Sequence, residues 1–409
     1  MKYAALANTR FATWAFVSSA ARLPGAMAPL AMVFLGHSSV GGYGIGSVLA
    51  AAYILGEVVG AATIGARLHP RRIRAVLATG LIVGGLAFGA MAVFPSSPLP
   101  VLMVAAAIAG AAPAASPGAL RSLLTGMVAE EEVAQALSAE AILQEVLWMA
   151  APALVVLLSV HVSGGAALGF CAVCLILAGL LAAVLRAIRP TEQEIASDDQ
   201  PSVRLLLSAW PIYLTSASAM SLMAVGELVL PALLQSRHQN VNIAAALLTA
   251  FAAASGLAAF VYGLRSWPGS ARTQSSVLLV GTAVAITVVA TVPHLVGIVL
   301  GFLAAGCLQS VVLITRSMSM RERLPSNAHA GGYSVMYAVQ GVGYSLSAIM
   351  AGLVLDHGSA STAMLTGVAL AIVLIAVSTV AEHRTPPRTA GAGQPTADLA
   401  TNPDAKAVP

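Results

Sequence analysis

YILGEVVGAATIGARLHPRRIRAVL (residues 53–77) and SGLAAFVYGLRSWPGSARTQSSVLL (residues 255–279) follow one plan. Each runs from a helix rich in small residues, through a glycine, to a short basic turn and a new apolar run. Apolar runs alternating with arginine-bearing turns mark a chain that crosses a bilayer repeatedly. The rest of the sequence agrees. Of 409 residues, 58% are hydrophobic and 9% charged, against roughly 25% charged in soluble proteins. Mean hydropathy is +0.87. So much apolar surface cannot be covered by so few polar groups in water, which excludes a soluble enzyme, a disordered chain and a disulfide scaffold.

A hydrocarbon layer about 30 Å thick takes roughly 20 apolar residues of helix. Twelve blocks qualify: 10–35, 42–66, 75–94, 100–127, 134–160, 165–187, 204–235, 242–264, 275–292, 295–320, 332–355 and 361–381. Only Pro293-His294 separates the ninth from the tenth. The basic start of the chain could open a signal peptide, but its apolar run is too long and is read as an uncleaved first span.

The net charge of +4 is not gathered into a nucleic-acid stripe. One set of connections holds Arg67, Arg71, Arg72, Arg74, Arg186, Arg189, Arg265, Arg272, Arg321 and Arg323. The ends add Lys2, Arg10, Arg384, Arg388 and Lys406, while the opposite connections hold Arg237 alone. By the positive-inside rule both termini are cytoplasmic and the number of spans is even. The expected organisation is an all-α membrane protein of two six-helix bundles, 1–187 and 204–381. A cytoplasmic connection, 188–203, joins them, and a disordered tail, 382–409, follows.

The halves repeat in detail. Arg121 near the end of the fourth span matches Arg316 near the end of the tenth, and 24 residues beyond them stand Glu145 and Gln340. Two parallel halves of six spans are a transporter architecture, with the substrate path between them near the bilayer midplane.

On these marks residues 8–382 resemble the major facilitator superfamily. The family's loop between spans two and three reads Gly-x-x-x-Asp-Arg-x-Gly-Arg. Here it reads Gly65-Ala66-Arg67-Leu68-His69-Pro70-Arg71-Arg72-Ile73-Arg74, with His69 in place of the Asp. Ala106 stands near the place of the Arg that drug–proton antiporters carry in span four, and Ala151-Pro152 looks like a worn form of their Gly-Pro. Residues 18–35, SSAARLPGAMAPLAMVFL, look like the first span of actinobacterial efflux-like members. The resemblance implies alternating access and a cytoplasmic gate at Gly65, Arg67, Arg71, Arg72 and Arg74.

A charged group within a span costs roughly 2.5–3.5 kcal/mol on insertion scales, so each one needs a reason. Arg121 and Arg316, near the cytoplasmic ends, can snorkel, and with Glu140 they read as structural or gating residues. Arg22, Glu145 and Glu227 lie deeper, so an Arg22–carboxylate pair is expected. That pair either locks helices or lets a carboxylate exchange a proton or meet a cation, with Glu145 the first candidate and Glu227 the second. Glu57 is another possible partner for Arg22. Candidate substrate contacts share faces with these charges: Trp14 and Ser18, Tyr53, Trp148, Met220 and Met223. Tyr333, Tyr337, Gln340 and Tyr344 recur as one stripe of span eleven, either packing hydrogen bonds or lining a cavity.

Gly56/Gly60 and Gly80/Gly84 read as close helix contacts, and Gly110 with Pro113 and Pro117 reads as a bend. Cys171, Cys174 and Cys307 read as buried apolar residues. The outer-loop histidines (His37, His161, His238, His294, His357) have no ligand spacing, so no metal and no cofactor are expected.

The sequence therefore points to a monomeric secondary transporter of the plasma membrane. Its partners are the lipid bilayer, protons and a small-molecule substrate, apolar or amphipathic, and the expected direction is export. Import or uniport of a small polar solute is the alternative. A membrane enzyme would need more than the adjacent Asp198-Asp199, and a transporter-like sensor would not need a repeated set of cavity polar groups.

Overall fold

The computed structural model describes residues 6–37, 42–184 and 202–384. Most of the central connection, the tail beyond 384, and Lys2, Arg186, Arg189, Arg388 and Lys406 lie outside the described residues. Among the described residues, twelve helices are long and apolar enough to cross a membrane. In chain order they are span 1 (Thr9–Leu35), 2 (Gly44–Gly65), 3 (Pro70–Val93), 4 (Leu99–Gly126), 5 (Glu130–His161) and 6 (Ala166–Ala183). The second half has span 7 (Trp210–Ser236), 8 (Ile243–Leu264), 9 (Ala271–Thr291), 10 (Leu295–Arg323), 11 (Ser326–His357) and 12 (Ala360–Glu382). In lipid the backbone must satisfy its own hydrogen bonds, and a helix does this within one segment.

Helix ends follow local chemistry. Asn8 caps span 1 by accepting from the Phe11 N–H at 2.9 Å. Ser270 caps span 9 by accepting from the Thr273 N–H, so that span starts at Ala271 rather than at 275. Span 3 likewise begins earlier than its apolar run, because His69 caps a tight Pro70–Arg72 turn by accepting from the Arg71 N–H at 3.2 Å. The thin Pro293-His294 break is real: the chain is extended at Val292 and His294. Span 4 is two helices, Leu99–Ala111 and Ser116–Gly126, joined at the Pro113 bend.

Spans 1–6 and 7–12 enclose separate apolar cores, one around Trp14, Leu81 and Phe88 and the other around Phe251, Phe302 and Met364. Large apolar side chains such as Leu55, Val104, Leu300 and Ile349 stay exposed, forming the surface that lipid must cover. Spans 2 and 4 approach until Gly56 and Gly110 interlock. A Cβ on Gly56 would lie 2.1 Å from the Ala107 carbonyl oxygen, and one on Gly110 would lie 2.1 Å from that of Tyr53.

The bundles meet chiefly through spans 5 and 8 and spans 4 and 11. The contact falls at the end carrying the arginine-rich turns, called the basic end below. A Cβ on Gly65 would collide with the Ser334 side chain, and one on Gly118 with Ser334 and the Ala330 carbonyl. Val133 and Leu137 of span 5 pack there against Ala259, Tyr262, Val311 and Ile314.

Candidate functional site

Arg22 of span 1 finds its carboxylate in Glu140 of span 5, which is only 1% exposed. Glu140 spends its other oxygen on Arg121 of span 4, Oε2 to Nε at 2.7 Å. Arg22 also donates to Gln144 Oε1 at 3.1 Å and to the Pro117 carbonyl at 3.4 Å. One carboxylate thus holds two guanidinium groups and ties three spans together; charge-assisted bonds of this kind are what make buried ions tolerable. Arg121 reaches across to the other bundle, donating to Ser317 Oγ at 3.3 Å and lying 5.8 Å from the centre of the Tyr333 ring. The expected snorkelling of Arg121 and Arg316 is corrected here: both turn inward to carboxylates, and Arg316 is fully buried.

Above this triad lies a cleft with about 610 Å³ of space between atoms, its open mouth included. Arg22, Pro24 and Gly25 of span 1, Tyr53 and Glu57 of span 2, Phe88 of span 3 and the bent stretch Gly110–Pro117 of span 4 line it. Gln144, Leu147 and Trp148 of span 5, Leu175 of span 6 and, from the other bundle, Tyr337 complete the wall. Three expected substrate contacts, Tyr53, Trp148 and Tyr337, and two expected buried charges, Arg22 and Glu57, therefore gather in one place. Trp148 is half exposed, and Tyr53 stacks at an angle on Phe88 with ring centres 5.8 Å apart. The Glu57 side chain has no ion pair or hydrogen bond among the described residues.

Trp14 and Ser18, expected beside the substrate path, share Arg22's helix face but lie nearer the basic end, where the bundles close. Trp14 is sealed and donates from Nε1 to the Leu120 carbonyl at 2.8 Å, which makes it a packing residue in this structure. Ser18 is buried beside it. Tyr333 is likewise buried at the basic end, donating to the Ser317 carbonyl at 3.1 Å. Gln340 is buried on span 11, and Met220 and Met223 are half-buried on span 7, outside the cleft. The tyrosine stripe is thus divided between a packed end and a cavity wall.

Glu145 stands five residues beyond Glu140, about 140° further round the helix. That rotation turns it from its own bundle toward the other. Its Oε1 lies 2.7 Å from Ser255 Oγ and 3.2 Å from Ser310 Oγ, and the two serine hydroxyls also meet, so two hydroxyl protons serve the three contacts. Glu227 on span 7 accepts from the Tyr344 hydroxyl at 3.4 Å and lies within the electrostatic field of Glu145. Among the described residues neither carboxylate has a basic partner. The interface therefore holds two carboxylates near one another with hydroxyl partners and no cation.

Arg316 organises a second triad at the basic end of the other bundle. It donates to Glu382 Oε1 at 3.0 Å and Thr215 Oγ1 at 3.0 Å, and also to Ser275. Glu382 takes Arg272 Nε at 2.9 Å on its second oxygen. Of the expected gate residues, Gly65 packs on span 11, Arg67, Arg71 and Arg72 are exposed, and Arg74 donates to the Ala183 carbonyl at 2.9 Å. A further side-chain clasp between bundles, and an ion pair, is Arg321 on Glu130, two-pronged at 2.7 and 3.2 Å, with a bond from Arg321 to the Thr125 carbonyl. Glu130, Arg321, Glu382 and Arg272 carried no site signal in the sequence. All four sit at helix ends, where a charge looks merely solvated.

No protein-family model matches the chain, and no curated protein matches its sequence. Solved structures do match its shape. The human organic anion transporter MFSD10 (TETRAN) superposes with a TM-score of 0.65 at 14% identity, covering 90% of this chain and 97% of that one. A variant of the E. coli fucose:proton symporter FucP gives 0.69 at 12% identity, covering 91% and 98%. A bacterial homologue of the iron transporter ferroportin, in an outward-facing state, gives 0.70 at 14% identity, covering 91% and 97%. The chain therefore shares the fold of these three transporters and, with twelve helices of membrane-crossing length among its described residues, is a multi-pass membrane protein.

Proposed function

We propose that this protein is a proton-coupled secondary transporter that exports a small amphipathic compound by alternating access. It works as a monomer in the plasma membrane, with both termini in the cytoplasm and no cofactor. Three solved transporters share its fold, which supports secondary transport as the class of activity. The observation that carries the proton reading is the cation-free pair of Glu145 and Glu227 on the interface between the bundles. An unpaired carboxylate away from water is costly, and taking up a proton removes the charge. When the bundles rock apart, Glu145 leaves Ser255 and Ser310, which lie on spans 8 and 10 of the opposite bundle. Its hold on a proton therefore differs between the two conformations, and a group of that kind couples proton movement to the rocking motion.

With the basic end cytoplasmic, the bundles are closed on the inside and the cleft opens outward. Mixed lining supports an amphipathic solute: Trp148, Leu147 and Phe88 offer apolar surface, while Arg22, Glu57, Tyr53 and Tyr337 offer polar handles. The test is uptake of labelled amphipathic acids, amines and zwitterions into everted vesicles with and without an imposed pH gradient. Export with protons as counter-ion predicts accumulation in everted vesicles that collapses when the gradient is dissipated. Accumulation only in right-side-out vesicles would make it an importer. Gradient-independent equilibration would make it a uniporter.

A further inference from the structure

The cleft above the Arg22–Glu140–Arg121 triad has a charge pattern of its own, distinct from the Glu145–Glu227 pair. Two guanidinium groups share a single carboxylate, so the floor carries one positive charge in excess. Arg22 uses both terminal nitrogens on Glu140, Gln144 and the Pro117 carbonyl, yet its Nε–H is buried with no acceptor. On the wall formed by span 2, the Glu57 carboxyl group has no donor among the described residues, and a cationic group in the cleft would hold it ionised. Arg22 and Glu57 face the same cavity without pairing with each other.

A ligand must answer both ends. A monocation would satisfy Glu57 and leave the excess positive charge and the Arg22 Nε–H unanswered. A monoanion would satisfy Arg22 and leave the Glu57 carboxyl group, ionised or protonated, without a hydrogen-bond partner. Each of these leaves an unmatched buried group, which is a costly arrangement. A dipolar molecule satisfies both and leaves the filled cleft with no net charge. The apolar surface that Trp148, Tyr53 and Tyr337 add to the same cleft takes an aromatic or branched aliphatic body.

We infer that this cleft binds zwitterionic solutes of amino-acid type, with the ammonium group on Glu57, the carboxylate on Arg22 and an apolar side chain against Trp148, Tyr53 and Tyr337. This names the substrate class of the transport site proposed above and rests on that reading. Export of such a molecule keeps the solute itself electrically neutral, so the coupling proton carries the charge.

The test is a binding series in which only the charge pattern changes. Purified full-length protein is titrated with L-phenylalanine, phenethylamine and 3-phenylpropanoate, and in parallel with L-leucine, isopentylamine and 4-methylpentanoate, by calorimetry. In at least one series the zwitterion is expected to bind tenfold or more tighter than either single-charge analogue. Glu57→Gln is expected to remove that advantage, weakening the zwitterion about tenfold while leaving the acid unchanged or improved. Thermal unfolding of Glu57→Gln is recorded alongside, and an unchanged midpoint shows that the loss is local.

Tighter binding of the amine or the acid, equal binding of all three, or binding of none overturns the assignment. So does an equal loss for every probe in Glu57→Gln. If an amine wins while wild-type vesicles still show gradient-driven flux, the zwitterion assignment fails and the transporter reading stands. If the zwitterion wins while no solute is driven by a gradient, the cleft is a binding site and the transporter reading fails.

Discussion

Each bundle contains one glutamate held by two arginines, and the two triads are built differently. In the first, Glu140 joins Arg22 and Arg121 from spans 1, 4 and 5 at the floor of the cleft. In the second, Glu382 joins Arg316 and Arg272 from spans 9, 10 and 12 at the basic end, with Arg316 sealed by Thr215 and Ser275. The arginines Arg121 and Arg316 occupy equivalent places in the repeat, but their carboxylates come from non-equivalent helices. Pseudo-symmetry has preserved the cation and let its counter-ion move. The second triad staples helices away from the cleft. The first does the same stapling while presenting Arg22 to the cleft, so charge neutralisation and ligand recognition share one residue there.

This difference predicts unequal costs. Glu140→Gln strands two buried guanidinium groups, and removing one partner of a buried ion pair costs about 3–5 kcal/mol. Its thermal midpoint in detergent is expected to collapse, with poor recovery of folded protein. Glu382→Gln also removes a partner from the buried Arg316 but should cost less, about 1–3 kcal/mol, because Arg316 keeps Thr215 and Ser275 as acceptors and Arg272 is 30% exposed. Equal midpoints for the two variants would break the distinction between the triads.

Glu145→Gln leaves both triads intact and is expected to abolish gradient-driven flux at least tenfold while preserving solute exchange. Unchanged pH dependence of flux in that variant would remove Glu145 from the coupling role. Arg321→Ala is expected to lower stability by under about 1 kcal/mol, since its partner Glu130 is 72% exposed. It should shift the population several-fold toward the state open at the basic end, read as a longer distance between spin labels on spans 4 and 11. No change in that distance would make the clasp ornamental. Tyr337→Ala, the mildest, is expected to reorder preference among solutes with little effect on yield. An equal loss for every solute would point instead to packing.

Much of the architecture was legible before any coordinates. Twelve apolar runs, the segregation of arginine and the repeat of Arg121 and Arg316 specify a two-bundle membrane protein, because lipid leaves a helix few alternatives. Pro113 and Gly110 announced the bend in span 4. The pairing of charges was not legible. Arg22 required a carboxylate, and Glu145, Glu227 and Glu57 answered that description, whereas the partner is Glu140, which read as a structural or gating residue. The choice depends on a rotation of about 140° between Glu140 and Glu145 and on which helices then face each other. Trp14 and Ser18 share a helix face with Arg22, but periodicity does not reveal the depth at which two bundles close. Glu145 and Gln340, matched by spacing, have different surroundings: the carboxylate meets the other bundle and the amide is buried.

The central claim is that one cleft serves both sides of the membrane in turn, and side-specific labelling of Trp148→Cys tests it most directly. The natural thiols Cys171, Cys174 and Cys307 are first replaced by serine, and a membrane-impermeant maleimide is added from one face at a time. With the Arg321–Glu130 clasp intact, labelling is predicted from the face opposite the arginine-rich turns. With Arg321→Ala added, labelling from the basic face should rise several-fold as labelling from the opposite face falls. Simultaneous access from both faces, or none from either, would contradict alternating access through this cleft.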